Sequence, residues 1–195
     1  MYRTRNHQSE SRMQKQYREM VNTRRLYKFE GDFFNLPPYR YMSVQLNLTT
    51  LRNIGKIIWN EESSPWFLIP EIRFGKGLYH GTARGVKYYY SWCDRQTIEL
   101  APTQRDILTL IHEMVHALGY GYHDSKFTGK YIEMLVKYAE VPKKELIKGM
   151  QRYKVALPRK YKRLYKTCQD SYKVPSRSPR KSGWTSKQGK SKKTR

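Results

Sequence analysis

Three of the chain's five histidines lie within twelve consecutive positions, and their spacing suits metal binding. His112 and His116 are four residues apart, so on a helix they occupy one face and can bind the same ion. His123 follows a glycine-containing turn that ends the helix, which allows it to approach as a third ligand. Three protein ligands leave a coordination position open, as in catalytic zinc sites, whereas structural zinc sites usually have four. The spacing therefore predicts one catalytic Zn²⁺ per chain.

A carboxylate stands beside the histidine pair. Glu113 completes the HExxH pattern and is predicted to act as the general base toward a metal-activated water. Tyr120 and Tyr122 are candidates for stabilising an oxyanion, and Asp124 for accepting a hydrogen bond from a histidine ligand. Each has a structural alternative, because tyrosines in such turns usually pack and Asp124 can cap the next helix.

The histidine pair needs a helix, and the sequence predicts one. Apolar residues recur at helical spacing from Ile107 to Leu118, and glycines follow where the helix should end. Without a metal, the same pattern would fit an amphipathic helix with two surface histidines. Residues 67–100 are rich in β-forming side chains and predict a small sheet whose last strand is Thr97–Leu100. The exposed edge of that strand is predicted to hold substrate by strand addition.

Further helices are predicted on both sides of these elements. Apolar stripes and capping residues place them from about Thr49 to Glu62, from Lys126 to Glu140, and from Lys143 to Tyr153. Trp59 and Trp66 are both expected in the core. The sequence therefore predicts an α+β fold with a zincin-like core, in which a small sheet packs on the HExxH helix between flanking helices.

Composition divides the chain into three parts. Residues 1–38 are basic and predict a helical arm, with a helix near Ser9–Tyr27, outside the core. Residues 39–150 form the predicted catalytic core. Residues 151–195 form a basic tail that is predicted to be disordered when free.

The positive charge is concentrated in this tail. The net charge of the chain is +23, and residues 151–195 hold sixteen Lys and Arg against one acidic residue, Asp170. Such a segment suits nucleic acid, bound without sequence preference through its cations while tyrosines such as Tyr161 stack on unpaired bases. A solvated tail, or one that docks on an acidic protein, would have the same composition. The predicted contact residues are Arg159, Lys160, Lys162, Arg163, Lys166, Lys173, Arg177, Arg180 and Lys181.

The cysteines and the hydrophobic segments indicate where in the cell the protein is expected. Cys93 and Cys168 lie far apart and form no CxxC pair, so neither a zinc ribbon nor a disulfide framework is predicted. No run of about 18 apolar residues is present, so no membrane span is predicted. The N-terminus is basic and polar, without the features of a secretory signal. The expected location is intracellular, with a virus particle as an alternative.

The motif region resembles the SprT-like (Spartan-type) zinc metallopeptidases over about residues 50–140. In that family a strand with an I-x-L pattern precedes the HExxH helix, as Ile98–Leu100 does here, and a third histidine opens an H-x-x-x-F segment, as in His123–Phe127. The resemblance implies a zinc peptidase that in several members acts on proteins bound or crosslinked to DNA. The zinc ribbon of some relatives is absent from this sequence.

A metzincin-like site is the second resemblance. Residues His112 to Gly119 match HExxHxxG, but metzincins place the third histidine where this chain has Tyr122, one position before His123. The methionine beneath the metal in that family would correspond to Met134 or Met150.

The sequence therefore predicts a zinc metalloendopeptidase that hydrolyses proteins associated with nucleic acid. The alternative is a non-catalytic, zinc-containing protein that binds nucleic acid or forms part of a virion or ribonucleoprotein. The sequence does not specify the oligomeric state.

Overall fold

In the computed structural model, which describes residues 11–83 and 86–162, five short strands follow one another along the chain, with helices before and after them. The elements follow the predicted order closely, and the α+β prediction is confirmed. They are α1 (Arg12–Phe33), a 3-10 helix (Arg40–Ser43), α2 (Leu48–Glu62), β1 (Glu71–Phe74), β2 (Leu78–Ala83), β3 (Val86–Tyr90), β4 (Trp92–Cys93), β5 (Thr97–Leu100), α3 (Ile107–Ala117), α4 (Ser125–Tyr138) and α5 (Lys143–Arg152).

The strands form one mixed sheet of three strands and a separate hairpin. In the sheet the order is β1-β5-β4, with β5 parallel to β1 and antiparallel to β4, while β2 and β3 pair with each other. Ile98 pairs with Ile72 on one side and with Cys93 on the other. The prediction that Thr97–Leu100 offers an exposed edge is therefore wrong, because both of its edges are already hydrogen-bonded. The short strand β4 is an edge of this sheet, and it contacts α3.

Helix α3 lies at the centre of the fold, against β4, β5, α2 and α4. Its N-terminus is capped by Asp106, whose carboxylate accepts a hydrogen bond from the Thr109 amide at 2.8 Å. Leu110, Ile111, Met114 and Val115 are completely buried, so almost every face of the helix meets protein. The HExxH residues are therefore held on a helix that is packed on nearly all sides.

Helix α1 belongs to the core, which corrects the prediction of an arm outside it. Leu26 and Phe29 are completely buried and Phe33 is nearly so, and α1 contacts α5. Met13 and Tyr17, in the first half of α1, are exposed. The buried stripe lies in the second half of the helix, where Leu26, Phe29 and Phe33 recur at helical spacing.

The start of the predicted tail is also part of the core. Val155, Leu157 and Tyr161 are buried in the main hydrophobic cluster. Tyr161 is only 2% exposed, so the prediction that it stacks on bases is wrong. The predicted disorder of the tail falls on residues beyond 162, outside the described part of the chain.

One predicted core residue lies at the surface instead. Trp59 is buried as expected, whereas Trp66 is 90% exposed. Sequence hydrophobicity could not separate the two, because Trp59 lies on the inner face of α2 and Trp66 lies in the loop that follows. None of the helices in the described ranges combines the length and hydrophobicity needed to cross a lipid bilayer.

Candidate metal centre

The three predicted histidine ligands converge on one point. The Nε2 atom of His123 lies 2.9 Å from Nε2 of His112 and 3.1 Å from Nε2 of His116. One ligand atom from each of the three residues lies within 4.8 Å of the other two. His112 and His116 come from one face of α3, and His123 comes from the loop between α3 and α4. Among the described residues, these three histidines form a group that can hold a metal ion.

The outer nitrogen of each ring has its own hydrogen-bond partner. Nδ1 of His112 lies 2.8 Å from a carboxylate oxygen of Glu30, and Nδ1 of His116 lies 2.8 Å from the carbonyl oxygen of Tyr120. Both partners are acceptors, so both rings carry their proton on Nδ1. The lone pairs on the two Nε2 atoms are therefore available for a metal ion.

The third ring is held in the same tautomer. The Thr23 hydroxyl donates to the carbonyl oxygen of Glu19 at 2.9 Å, which leaves its oxygen to accept from Nδ1 of His123 at 3.1 Å. With its proton on Nδ1, His123 also directs an unprotonated Nε2 at the other two rings. Three lone pairs aimed at one point repel each other unless a cation or a proton lies among them.

The donor set fits zinc. Zn²⁺ binds histidine nitrogen at about 2.0–2.1 Å, and tetrahedral angles then separate two ligand nitrogens by about 3.3–3.4 Å. The Nε2 separations of 2.9 and 3.1 Å to His123 come within a few tenths of an ångström of that spacing. Imidazole also binds copper, iron and nickel, so the ligand type alone does not select the metal.

A glycine turn places the acceptor for His116. Gly119 has a φ of +98°, a left-handed conformation that ends α3 and is easily adopted only by glycine. The turn directs the carbonyl of Tyr120 back to the ring of His116. The prediction that a glycine turn returns the chain toward the helix is confirmed by this geometry.

Helix α1 supplies residues of the site that the sequence analysis missed. Thr23, Tyr27 and Glu30 lie at positions i, i+4 and i+7 and so share one face of the helix. Thr23 and Glu30 contact His123 and His112, and the Tyr27 ring lies 5.6 Å from that of His112 and 5.4 Å from that of His123. Their helical spacing was visible in the sequence, but nothing in it showed that this face meets the histidines.

Glu30 also lies near α4. Burial, and then the charge of the Glu30 carboxylate, raises the pKa of the buried Tyr131 hydroxyl on α4 well above its usual value. The carboxylate therefore lies close to both α3 and α4. A carboxylate behind a metal-binding histidine orients the ring and makes it a stronger ligand.

The backbone of His123 has a separate anchor. The side-chain amide of Asn22 donates to the His123 carbonyl, and its oxygen accepts from the backbone amide of Ala156 at 2.6 Å. Asn22 is itself buried. One side chain of α1 thus ties the third ligand to the segment after α5.

The environment acts differently on the three rings. Burial, together with the neighbouring histidines, lowers the pKa of His123 to about 2 and that of His116 to about 4. Burial lowers the pKa of His112 too, but the charge of Glu30 and its hydrogen bond outweigh that effect and raise the pKa overall. His116 and His123 are therefore neutral at pH 7, as metal ligands must be.

Glu113 is buried beside the histidines. Its exposed fraction is 7%, and it lines a cleft of about 500 Å³ together with Tyr27, Cys93, His116 and His123. Burial, partly offset by His112 and reinforced by Glu30, raises the pKa of Glu113 to about 7. A carboxyl group with such a pKa can both accept and donate a proton near neutral pH.

Cys93 lies in the same cleft. Burial, followed by the nearby carboxylates of Glu113 and Asp94, raises the pKa of its thiol to about 12. This shift disfavours the thiolate, which is the reactive form of cysteine, at neutral pH.

The other three predicted site residues take different places. Asp124 is the N-cap of α4 and accepts from the amides of Lys126 and Phe127, so its carboxylate has the capping role. Tyr120 is partly buried against the core and approaches His116 through its backbone. Tyr122 is 55% exposed, with the Lys15 ammonium 5.4 Å from the centre of its ring. Glu30, rather than Asp124, contacts one of the three candidate ligand histidines, His112.

Three of the predicted nucleic-acid contacts lie in the described part of the chain. Arg159, Lys160 and Lys162 are exposed, and Lys160 forms an ion pair with Glu133 at 2.7 Å. The other six lie outside the described residues: Arg163, Lys166, Lys173, Arg177, Arg180 and Lys181.

A scan against models of protein families finds no match for this chain, and neither curated proteins nor solved structures show significant similarity to it.

Proposed function

We propose that the protein is a zinc-dependent peptidase whose metal is held by His112, His116 and His123. The proposal rests on one observation above the others, the convergence of three Nε2 atoms whose rings are oriented from behind by Glu30 and by oxygens of the chain. A bound zinc ion supplies Lewis acidity, which polarises a carbonyl group and makes water more acidic at neutral pH.

Glu113 moves the proton in this reaction. Its carboxylate accepts a proton from the attacking water while the water oxygen bonds to the carbonyl carbon of the peptide. It then donates that proton to the leaving nitrogen as the C–N bond breaks, so one residue serves as base and as acid. The burial of Glu113 next to His112 and His116 supports this assignment.

Within residues 11–83 and 86–162, β4 pairs only with β5, so its other edge suits an extended peptide backbone. Trp92 and Cys93 pair with β5 on one side, and both residues line the cleft that holds Glu113 and His116. A substrate that hydrogen-bonds to this edge would pass over the histidines. We therefore propose that the substrate pairs with the outer edge of β4 instead of with β5.

Replacement of Glu113 by Gln tests the proposal. We expect Glu113→Gln to bind zinc as the wild type does, within about twofold, and to lose cleavage of an unfolded protein by about 10²–10⁴-fold, the usual contribution of general acid–base catalysis. His123→Ala should lose the metal. The control is Glu145→Gln, which makes the same change at an exposed position of α5. Cleavage retained in Glu113→Gln would overturn the assignment of the base.

The resemblance to SprT-like peptidases suggests substrates bound to nucleic acid, and the charge of +23 favours this proposal. A deletion that removes residues 163–195 leaves Val155, Leu157 and Tyr161 in the core, whereas a deletion from residue 151 would remove them. We expect the shorter deletion to reduce affinity for single- and double-stranded DNA and to flatten its salt dependence. Unchanged affinity would assign the contact to the remaining chain.

A non-catalytic zinc protein that binds nucleic acid is the second candidate, supported by the same charge. Measurements of zinc content and cleavage on the wild type are enough to distinguish it from the peptidase. Stoichiometric zinc without cleavage of unfolded or DNA-bound protein, with and without DNA, would favour it over the peptidase.

A further inference from the structure

Four consecutive apolar residues lie on the surface after α2. Trp66 and Leu68 are each 90% exposed, Phe67 is 65% exposed and Ile69 is 44% exposed. We refer to residues 66–69 as the apolar loop. Single exposed apolar residues are common, but a contiguous group of large ones marks an interaction site.

The backbone of the apolar loop is anchored. The buried Trp59 donates its indole N–H to the carbonyl of Phe67 at 3.2 Å, and the amide of Phe67 donates to the carbonyl of Ser64 at 3.0 Å. Pro65 and Pro70 flank the loop and restrict its backbone on both sides. The loop therefore presents Trp66 and Leu68 from a defined position, which lowers the entropic cost of binding.

A groove lies between the apolar loop and the C-terminal end of α3. Trp66, Phe67 and Leu68 line it together with Ala117 and Leu118, and Arg95 and Gly119 line it as well. Arg95 and Gly119 also line the cleft that contains Glu113 and His116. The groove and the cleft therefore adjoin each other at Arg95 and Gly119, so an extended chain bound in the cleft lies near the loop.

We propose that the apolar loop binds a large aliphatic or aromatic side chain of the peptide substrate, on one side of the cleaved bond. This inference rests on the proposed peptidase function. An unfolded protein segment is the occupant that the observations favour, because the groove beside the loop adjoins the cleft in which the peptide would be cut. Such segments expose the apolar side chains that folded proteins bury. The loop then gives the enzyme a preference for unfolded over folded substrates.

The test uses peptides that differ at one position. Alanine is replaced by leucine or phenylalanine at successive positions on both sides of the cleaved bond, and kcat/KM is measured for each peptide. We expect the wild type to prefer the large side chain at one position by about 10–200-fold, the range for apolar pockets. In Trp66→Ala and Leu68→Ala this ratio should fall to within about twofold of one.

A matched variant controls for general loss of apolar surface. Ile57→Ala removes a side chain that is 54% exposed on α2, outside the groove, and should keep the ratio of the wild type. Because Trp66 and Leu68 are exposed, their replacement should leave the melting temperature unchanged within about 2 °C. If both Trp66→Ala and Leu68→Ala keep the ratio of the wild type, the inference is overturned, and the proposed peptidase function is unaffected.

A binding measurement separates this inference from the proposed function. The same peptides are titrated into zinc-loaded Glu113→Gln, with and without Trp66→Ala, and affinity is measured by calorimetry. A preference for the large side chain that requires Trp66 supports the loop as a peptide site even if the wild type cleaves nothing, which would overturn only the peptidase. Loss of DNA or lipid-vesicle binding in Trp66→Ala, with peptide preference unchanged, would overturn the inference in favour of those occupants.

Discussion

The most informative prediction concerns Glu30, which the sequence analysis did not connect to the site. Its carboxylate lies 2.8 Å from Nδ1 of His112, and its side chain is only 19% exposed. Replacement of a carboxylate behind a metal-binding histidine typically weakens metal binding by about 10–100-fold. Glu30→Ala should therefore raise the zinc dissociation constant by that factor, which corresponds to about 1.4–2.7 kcal/mol of binding free energy at about 1.36 kcal/mol per tenfold.

A conservative variant separates charge from geometry. Glu30→Gln keeps an oxygen that can accept from His112 but removes the negative charge. It should therefore lose less affinity than Glu30→Ala. Asp32→Asn is the matched control, because it removes a charge two residues further along α1, where the carboxylate accepts from Tyr153 at 2.7 Å instead of from a histidine.

The assay compares zinc affinity by competition with a chelator and the increase in melting temperature on adding zinc. Zinc in excess stabilises the folded state by RT ln(1 + [Zn]/Kd), so a 100-fold weaker site loses about 2.7 kcal/mol at the same free zinc. At about 2–4 °C per kcal/mol for a chain of this size, the zinc-induced increase should shrink by about 3–11 °C. Because each increase is measured against the same variant without zinc, any effect of the substitution on the stability of the metal-free protein cancels. Affinity within twofold of the wild type in both Glu30 variants would refute the reasoning.

Two predictions address the fold. A methyl group added at Gly149 of α5 would lie 2.7 Å from a ring carbon of Phe29 and 2.9 Å from one of Phe33, so Gly149→Ala should destabilise the protein by about 1–3 kcal/mol in urea unfolding. A methyl group added at Gly31 of α1 meets nothing within 4 Å, so Gly31→Ala should stabilise the protein by about 0.5–1 kcal/mol. Equal effects of the two substitutions on the free energy of unfolding would mean that α1 does not pack on α5 as described. A further prediction concerns how stability depends on pH. Burial raises the pKa of Glu62, but hydrogen bonds from Lys130, Lys137 and Tyr138 outweigh it and lower the pKa to about 2. Since the folded-state pKa is below the usual 4.5, this contribution is present above about pH 4.5 and is lost as the pH falls toward 2. Glu62→Gln should therefore lower the free energy of unfolding at pH 7 by about 1–2 kcal/mol, with solvent screening taken into account, and should have little effect at pH 2. An equal loss of stability at both pH values would contradict the conclusion that the charge of Glu62 is stabilising.

Local patterns in the sequence predicted much of the site. The four-residue spacing of His112 and His116 defines one helix face wherever the helix lies, and glycine at position 119 predicts the turn that follows. Asp124, named beforehand as a possible cap, caps α4. These predictions depend on residues a few positions apart, whose geometry is fixed by the helix itself.

Contacts between distant segments were decided only by the tertiary structure. Glu30 and Thr23 meet His112 and His123 across 82 and 100 residues of sequence, and no local pattern encodes which face of α1 turns toward α3. The same reason explains why β5, predicted as an edge, is the central strand: pairing partners are chosen by the whole sheet. The sequence alone determined the three imidazoles and the carboxylate. The fold determined what orients them, because burial and hydrogen bonding depend on which distant surfaces meet.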